Sequence, residues 1–250
     1  MEQFLFLRDL ISQGAADMSS MRSYSDWNKR SSDLKKQIEP YRRYVFICEG
    51  ENTEKWYFSH LIEIRKELGI HPLIDIQLME KPEGEESFSN PKKLIEFADY
   101  LKRRIRDGYD KNHDRMVIVF DADIYERRPD LYEEIIRRQD DYIFAVTNPS
   151  FELFLLLHYE NSFREIIEPH ADIILRNPKE GKKRRYIDKL FSSVSKMNAK
   201  QNPEVGKLAE RLDIAIYEEC NVNQDIQKAI GQITSNVGKV IQSIRDDATF

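Results

Sequence analysis

Cysteine is nearly absent from this chain. Cys48 and Cys220 are the only two in 250 residues, too few for a disulfide framework, and the pattern points to a reducing, cytoplasmic compartment. No apolar run approaches the roughly 20 residues that a membrane helix needs, so no membrane association is expected. The opening Met1-Glu2-Gln3-Phe4-Leu5-Phe6-Leu7-Arg8-Asp9 brings in acids too early for a secretory leader. The five histidines, His60, His71, His113, His158 and His170, show no metal-ligand spacing. There is no P-loop, no Gly-x-Ser-x-Gly and no Gly-x-Gly-x-x-Gly, so ATP binding through a Walker motif is not expected. A net charge of -5 argues against a wholly basic nucleic-acid coat.

What remains is a soluble, globular composition, 40% hydrophobic and 33% charged, of a length that fits one core plus a helical appendage. One stretch runs against the acidic average. Arg176 to Lys200 holds nine Lys or Arg against Glu180 and Asp188. Lys182, Lys183, Arg184 and Arg185 form its densest part. Such a patch reads either as a surface for nucleic-acid phosphates or as a solvated loop and helix face.

The chain divides into three parts. Residues 1–40 read as a helical or flexible arm, residues 41–160 alternate strand and helix, and residues 161–250 combine the basic segment with a mainly helical region. Tyr44 to Cys48 and Met116 to Phe120 have no polar face, as expected of strands buried on both sides. Ile76 and Leu78 alternate with polar residues, so their strand is less buried. Tyr142 to Val146 is a further strand. Asn52 or Thr53 is placed to cap a helix with the stripe Tyr57, Leu61, Ile64 and Leu68. Residues 83–90 read as a charged loop. Pro91 opens the next helix, a third follows Arg128-Pro129-Asp130, and Asn148 is placed to cap a fourth. Val205 to Glu219 reads as one helix, and Ser235 as the cap of a last one with Val237, Val240, Ile241 and Ile244 inward. The alternation predicts an α/β fold with a parallel sheet covered on both faces.

Three acidic signatures carry the chemistry. Both fully apolar strands stop at carboxylates: Cys48-Glu49-Gly50-Glu51 after the first, and Asp121-Ala122-Asp123 after the second. Ligands of open α/β sheets sit at the carboxyl ends of strands, so Glu49, Asp121 and Asp123 are expected to converge. Converging carboxylates repel unless a cation lies between them, and Mg²⁺ is the usual one. Glu49 reads as a metal ligand or a general acid–base group. Gly50 permits a tight exit with close approach of the backbone to a ligand. Glu51 and Glu54 suit the positive end of the following helix, with Glu54 also a second-site metal ligand. Glu152 lies in the almost unbroken apolar run Phe151 to Leu157. It reads as a helix-dipole partner or as a member of the site.

Laid out in order, Ile47-Cys48-Glu49-Gly50-Glu51-Asn52-Thr53-Glu54 with Tyr57-Phe58, then Val119-Phe120-Asp121-Ala122-Asp123, then Asn148-Pro149-Ser150-Phe151-Glu152-Leu153, resemble the RloB family. Thr234 to Val240 adds a weaker match, and residues 1–40 fall outside it. The resemblance implies a Toprim-like fold: a small parallel sheet between helices with a Glu and an Asp-x-Asp at its carboxyl edge, followed here by a mainly helical C-terminal extension. It also implies Mg²⁺, with Mn²⁺ as a substitute, used in breaking phosphodiester bonds. A role in bacterial defence and abortive infection is implied too, beside a separately encoded ABC- or AAA-type ATPase.

The first reading is therefore a metal-dependent nuclease acting on DNA or RNA. In it Asp121, Asp123, Glu49 and Glu152 form the catalytic group, and Lys182 to Arg185 hold the nucleic-acid backbone. The alternative is a non-catalytic nucleic-acid- or partner-binding subunit, and a third reading is a nucleotide-binding receptor. A homo-oligomer is compatible with each.

Overall fold

The computed structural model describes residues 41–79, 91–104, 109–181 and 184–247. The expected arm at 1–40, the charged loop at 83–90, and Lys182 and Lys183 lie outside these residues.

Five strands form one sheet: β1 (Arg42–Cys48), β2 (Ile74–Met79), β3 (Asp114–Asp121), β4 (Ile143–Asn148) and β5 (Thr234–Ser235). Their order is β2-β1-β3-β4-β5. The first four are parallel and β5 runs antiparallel to β4. Successive side chains of a strand point to opposite faces, and the inner strands have apolar residues on both. In β1, Tyr44, Phe46 and Cys48 enter one cluster while Val45 and Ile47 enter the other. In β3, Val117 and Val119 face one way, and Met116, Ile118 and Phe120 the other. Edge strand β2 alternates buried and half-buried residues, as its sequence predicts.

Helices α1 (Thr53–Glu63) and α4 (Phe151–Leu156) cover one face. Helices α2 (Pro91–Lys102) and α3 (Pro129–Ile136) cover the other. The first face is completed by α5 (Ala171–Arg176), α6 (Tyr186–Ser195), α7 (Leu212–Glu219) and α8 (Val237–Asp246), so its apolar cluster extends from Tyr44 to Ile244. Val237, Val240, Ile241 and Ile244 are all buried, as their spacing predicts.

Four local expectations are corrected. The segment expected as one helix from Val205 to Glu219 is a 3-10 stretch over Pro203–Arg211 followed by α7. Asn148 ends β4 rather than capping α4. Its amide donates to the carbonyls of Ala229 (2.8 Å) and Gln232 (3.0 Å), and Ser150 takes the cap position. Ser235 belongs to β5, and Asn236 occupies the cap of α8. Neither Asn52 nor Thr53 caps α1 through its side chain. Asn52 donates to the carbonyl of Lys200 (3.3 Å) and Thr53 to that of Ala199 (3.1 Å). In the three cap corrections a polar side chain suited to a local cap is used instead to join distant segments.

Candidate active site

The strand order fixes where a site belongs. From β1 the chain moves to β2 on one side, then returns across β1 to β3 on the other. The carboxyl ends of β1 and β3 therefore flank the point where the winding reverses, the crevice in which doubly wound sheets bind ligands. Glu49 follows β1 there and Asp121 ends β3. The Glu49 amide continues the ladder to the Val119 carbonyl at 2.9 Å, and the Asp121 amide donates to Glu49 Oε2 at 3.1 Å. The two acidic strand ends are thus joined directly.

A cleft of about 420 Å³ opens over this point. Glu49, Glu54, Asp121, Asp123, Glu152 and Arg185 all line it, as do Glu51, Asn177, Asp188 and Lys200. Glu54 is buried in the first turn of α1, above Gly50. A Cβ at residue 50 would lie 1.8 Å from Glu54 Oε2. The close approach that Gly50 permits is therefore made by this carboxylate, and any other residue would displace it.

The electrostatics differ around the cleft. Burial raises the proton affinity of Asp121 well above the ordinary carboxylate range. Glu49, Glu54 and Glu152 push it further, against a 2.5 Å hydrogen bond from the Thr147 hydroxyl. Burial also raises Asp123, and Arg185, 3.8 Å away, opposes the rise. Glu152 is raised by burial, relieved by Lys200 and aggravated by Asp188, while Ser150 donates to its Oε2 at 2.6 Å. Lys200 Nζ lies 2.9 Å from Asp188 and 3.9 Å from Glu152. Burial works against its charge, yet Glu152, Asp188 and Asp121 together raise its proton affinity.

Of the basic residues expected to hold nucleic acid, Arg185 lines the cleft, Arg184 is exposed and does not line it, and Lys182 and Lys183 lie outside the described residues. Asp188, Asn177 and Lys200 line the cleft too, although the sequence reading did not choose them as site residues. Asp188 accepts from the Arg185 amide at 2.7 Å and fixes the start of α6. Asn177 ends α5 in a left-handed conformation. Lys200 is brought in by the bonds from Asn52 and Thr53. A lysine at the end of a basic run, without local periodicity, carries no signal that it reaches the first turn of α1.

Every strand-end donor here is a carboxylate oxygen, which suits a hard cation. Among the described residues no cluster of three or more His, Cys, Asp or Glu side chains is arranged to hold a metal ion by itself. The donor set fits an ion that keeps water and takes substrate oxygens, and it does not form a finished protein cage. Mg²⁺ is commonly bound in that way, through one or two carboxylates plus phosphates.

No helix among the described residues is long and apolar enough to cross a membrane. No curated protein and no solved structure matches the chain. The pattern of the family described as RloB-like protein matches residues 44–244, which include both acidic strand ends, Glu152 and Lys200. This chain belongs to the RloB-like family.

Proposed function

We propose that the cleft is the centre of a Toprim-like, Mg²⁺-dependent nuclease that hydrolyses phosphodiester bonds in DNA or RNA. The observation that carries this reading is the convergence of Glu49 and Asp121 at the winding reversal. There the Glu49 carboxylate pushes the proton affinity of buried Asp121 further up, while it accepts the Asp121 amide. Buried like charges are costly, and an arrangement that gathers them is explained by a cation that arrives later.

Asp121 and Asp123, with Glu49 and Glu54 beside them, are the residues that would hold the ion, and Mn²⁺ takes the same oxygen donors. When bound, the metal polarises a phosphoryl oxygen and lowers the pKa of an attacking water. In this reading Glu49 takes or relays the proton. Glu152 is held by Ser150 and Lys200 in the opposite wall, and keeps Lys200 oriented over the cleft. Lys200 and Arg185 supply positive charge where a phosphate would enter. Family membership also suggests a role in anti-phage defence in the cytoplasm. An ATPase partner on a separate chain suits the missing Walker motif.

The test is a Mg²⁺ and Mn²⁺ titration of melting temperature for the wild type and for Asp121→Asn/Asp123→Asn, with plasmid and tRNA cleavage read on the same samples. Stabilisation by the ion and cleavage, both lost in the double variant, support the reading. Unchanged cleavage in that variant sinks it.

A second reading, a non-catalytic nucleic-acid-binding subunit, is favoured by the Lys200 contacts with Asp188 and Glu152, which satisfy part of the cleft's charge without a metal. It requires that Asp123→Asn leave every property unchanged while neutralising residues 182–185 abolishes binding.

A further inference from the structure

A second cavity of about 320 Å³ adjoins the cleft on the side of Asp123. Asp123, Asn177 and Arg185 line both, so the two spaces share a wall. Their chemistry differs. The cleft has its carboxylates at the strand ends, whereas the cavity is bordered by three guanidinium groups, Arg127, Arg176 and Arg185. Ile124 and Leu175 add an apolar surface, and Ile124 is 47% exposed, one of few large apolar side chains so placed.

The cavity's two acids already have partners, one of them inside the cavity. Asp123 faces Arg185. Glu126 accepts from the Asn148 side chain at 3.0 Å and the Gly231 amide at 3.2 Å. Arg176 is tethered through Nε to the Asp172 backbone carbonyl at 3.1 Å, which carries no charge.

Asn177 supplies an independent observation. Its side chain is buried, and Oδ1 accepts from the Ile187 amide at 3.2 Å. An amide N–H only donates, so the atom facing it is the oxygen and the assignment is fixed. Nδ2 has no acceptor among the described residues. Buried donors are rarely left unpaired, and Asn177 is one of the residues that line both cavities.

We propose that this cavity is a subsite for the nucleotide next to the scissile phosphate. In it Arg127, Arg176 and Asn177 take the phosphate, and Ile124 and Leu175 lie against the sugar or base. The proposal rests on the nuclease reading for the adjacent cleft and extends it. Guanidinium groups suit phosphate because their forked donors match its oxygens. The phosphate here is either an internal phosphodiester or a terminal monoester, and both present the same oxygens.

The test measures binding in the full chain carrying Asp121→Asn, so that cleavage does not interfere. The probes are short fluorescein-labelled single-stranded DNA and RNA oligonucleotides, each with a 5′-phosphate or a 5′-hydroxyl, over a salt series. Arg127→Ala/Arg176→Ala is expected to weaken binding about tenfold or more. It is also expected to lower the slope of log affinity against log salt by about two. Asn177→Asp keeps the acceptor for Ile187 while removing the free donor, and is expected to weaken binding in the same direction. A drop confined to 5′-phosphorylated probes assigns a terminal monoester, and an equal drop with both ends assigns an internal phosphodiester.

Unchanged affinity and salt slope in the arginine variant overturn the proposal, as does a parent that binds no oligonucleotide. Failure of the nuclease reading looks different: oligonucleotide is bound in an arginine-dependent way, but the protein with Asp121 intact cuts nothing in Mg²⁺ or Mn²⁺.

Discussion

Two groups of buried carboxylates sit on the same face of this fold, and they are treated in opposite ways. At the far end of the chain, Glu219 is fully buried and saturated. It accepts from the Ser235 hydroxyl at 2.6 Å and from the Gly238 and Lys239 amides at 2.9 and 2.8 Å, filling the open N-terminus of α8. Glu218 likewise accepts from the Asn161 and Phe163 amides, each at 2.9 Å. Asp121 receives the Thr147 hydroxyl and otherwise faces Glu49, Glu54 and Glu152. Burial raises the proton affinity of both Glu219 and Asp121. At Glu219 every further influence is a hydrogen bond that favours the charge. At Asp121 three further influences are like charges that oppose it. A buried acid surrounded by donors is scaffold, whereas one surrounded by acids is the kind of group that the proposed cation would relieve.

The contrast is most sharply tested at Glu219. Glu219→Ala leaves two helix-terminal amides and a hydroxyl without an acceptor inside the core, each costing roughly 1–3 kcal/mol. We expect a loss of about 3 kcal/mol or more, read as a large fall in the denaturation midpoint, with no change in the remaining response to Mg²⁺. A small loss would break the comparison, because Glu219 would then be no better used than Asp121.

Glu219 and Asp121 are both raised by burial, so the pH contrast within the fold is with a buried histidine on the scaffold side, which is shifted the other way. The ring of His158 is fixed by its neighbours. Nδ1 lies 2.9 Å from the Phe154 carbonyl, which only accepts, so Nδ1 carries the proton and Nε2 accepts from the Tyr57 hydroxyl at 2.9 Å. Burial lowers its pKa from 6.5 to about 3. The unfolded chain therefore binds this proton more readily than the folded one. Stability from His158 is complete above 6.5 and is lost as pH falls from there towards about 3. At about pH 5 the expected loss is about 2 kcal/mol, and His158→Gln should flatten this acid limb in urea unfolding. Asp121 has the opposite sign. Its raised proton affinity makes the metal-free protein less stable as pH rises out of the ordinary carboxylate range, and a divalent ion should remove that loss.

A smaller effect, of unusual direction, is expected at the site itself. Asp121→Asn removes one of the repelling charges while keeping an oxygen for Thr147. Most core substitutions destabilise, but this one should stabilise the metal-free protein by about 1 kcal/mol, because a neutral group replaces a poorly compensated buried charge. It should also abolish stabilisation by Mg²⁺. Destabilisation without metal would mean that Asp121 is held as Glu219 is held, and would remove the basis for the cation.

The sheet was legible because its inner strands are buried on both faces. Tyr44 to Cys48 and Met116 to Phe120 are short runs rich in β-branched and aromatic residues with no polar face, and the acids that end them follow directly. The edge strand was legible from its alternation. The caps were not. Asn52, Asn148 and Ser235 have the side chains of local caps, yet each is used for a contact between segments. The opposite wall of the cleft was hidden for the same reason. Lys200 reaches it through hydrogen bonds spanning 148 and 146 positions of sequence, which no local pattern encodes. Glu152 was visible as an acid in an apolar run, but its partner was not. Buried acids therefore mark candidates, and the fold decides which of them are satisfied.

Lys200 offers the finest test of that distinction, since it is the cation the fold already supplies. Its side chain is 58% exposed, so its contacts with Asp188 and Glu152 are screened by solvent and contribute modestly. Lys200→Ala should cost about 1 kcal/mol or less, mostly by leaving the buried Glu152 facing Asp188. The informative quantity is the coupling with metal. If Lys200 relieves the same field that a divalent ion relieves, its removal should make Mg²⁺ stabilise the protein more. The excess should shrink when Asp121→Asn is added, because the two sites then share one interaction in a double-mutant cycle. Strict additivity would mean that the Lys200–Glu152–Asp188 group belongs to the scaffold with Glu219, and that the cation site is confined to the ends of β1 and β3.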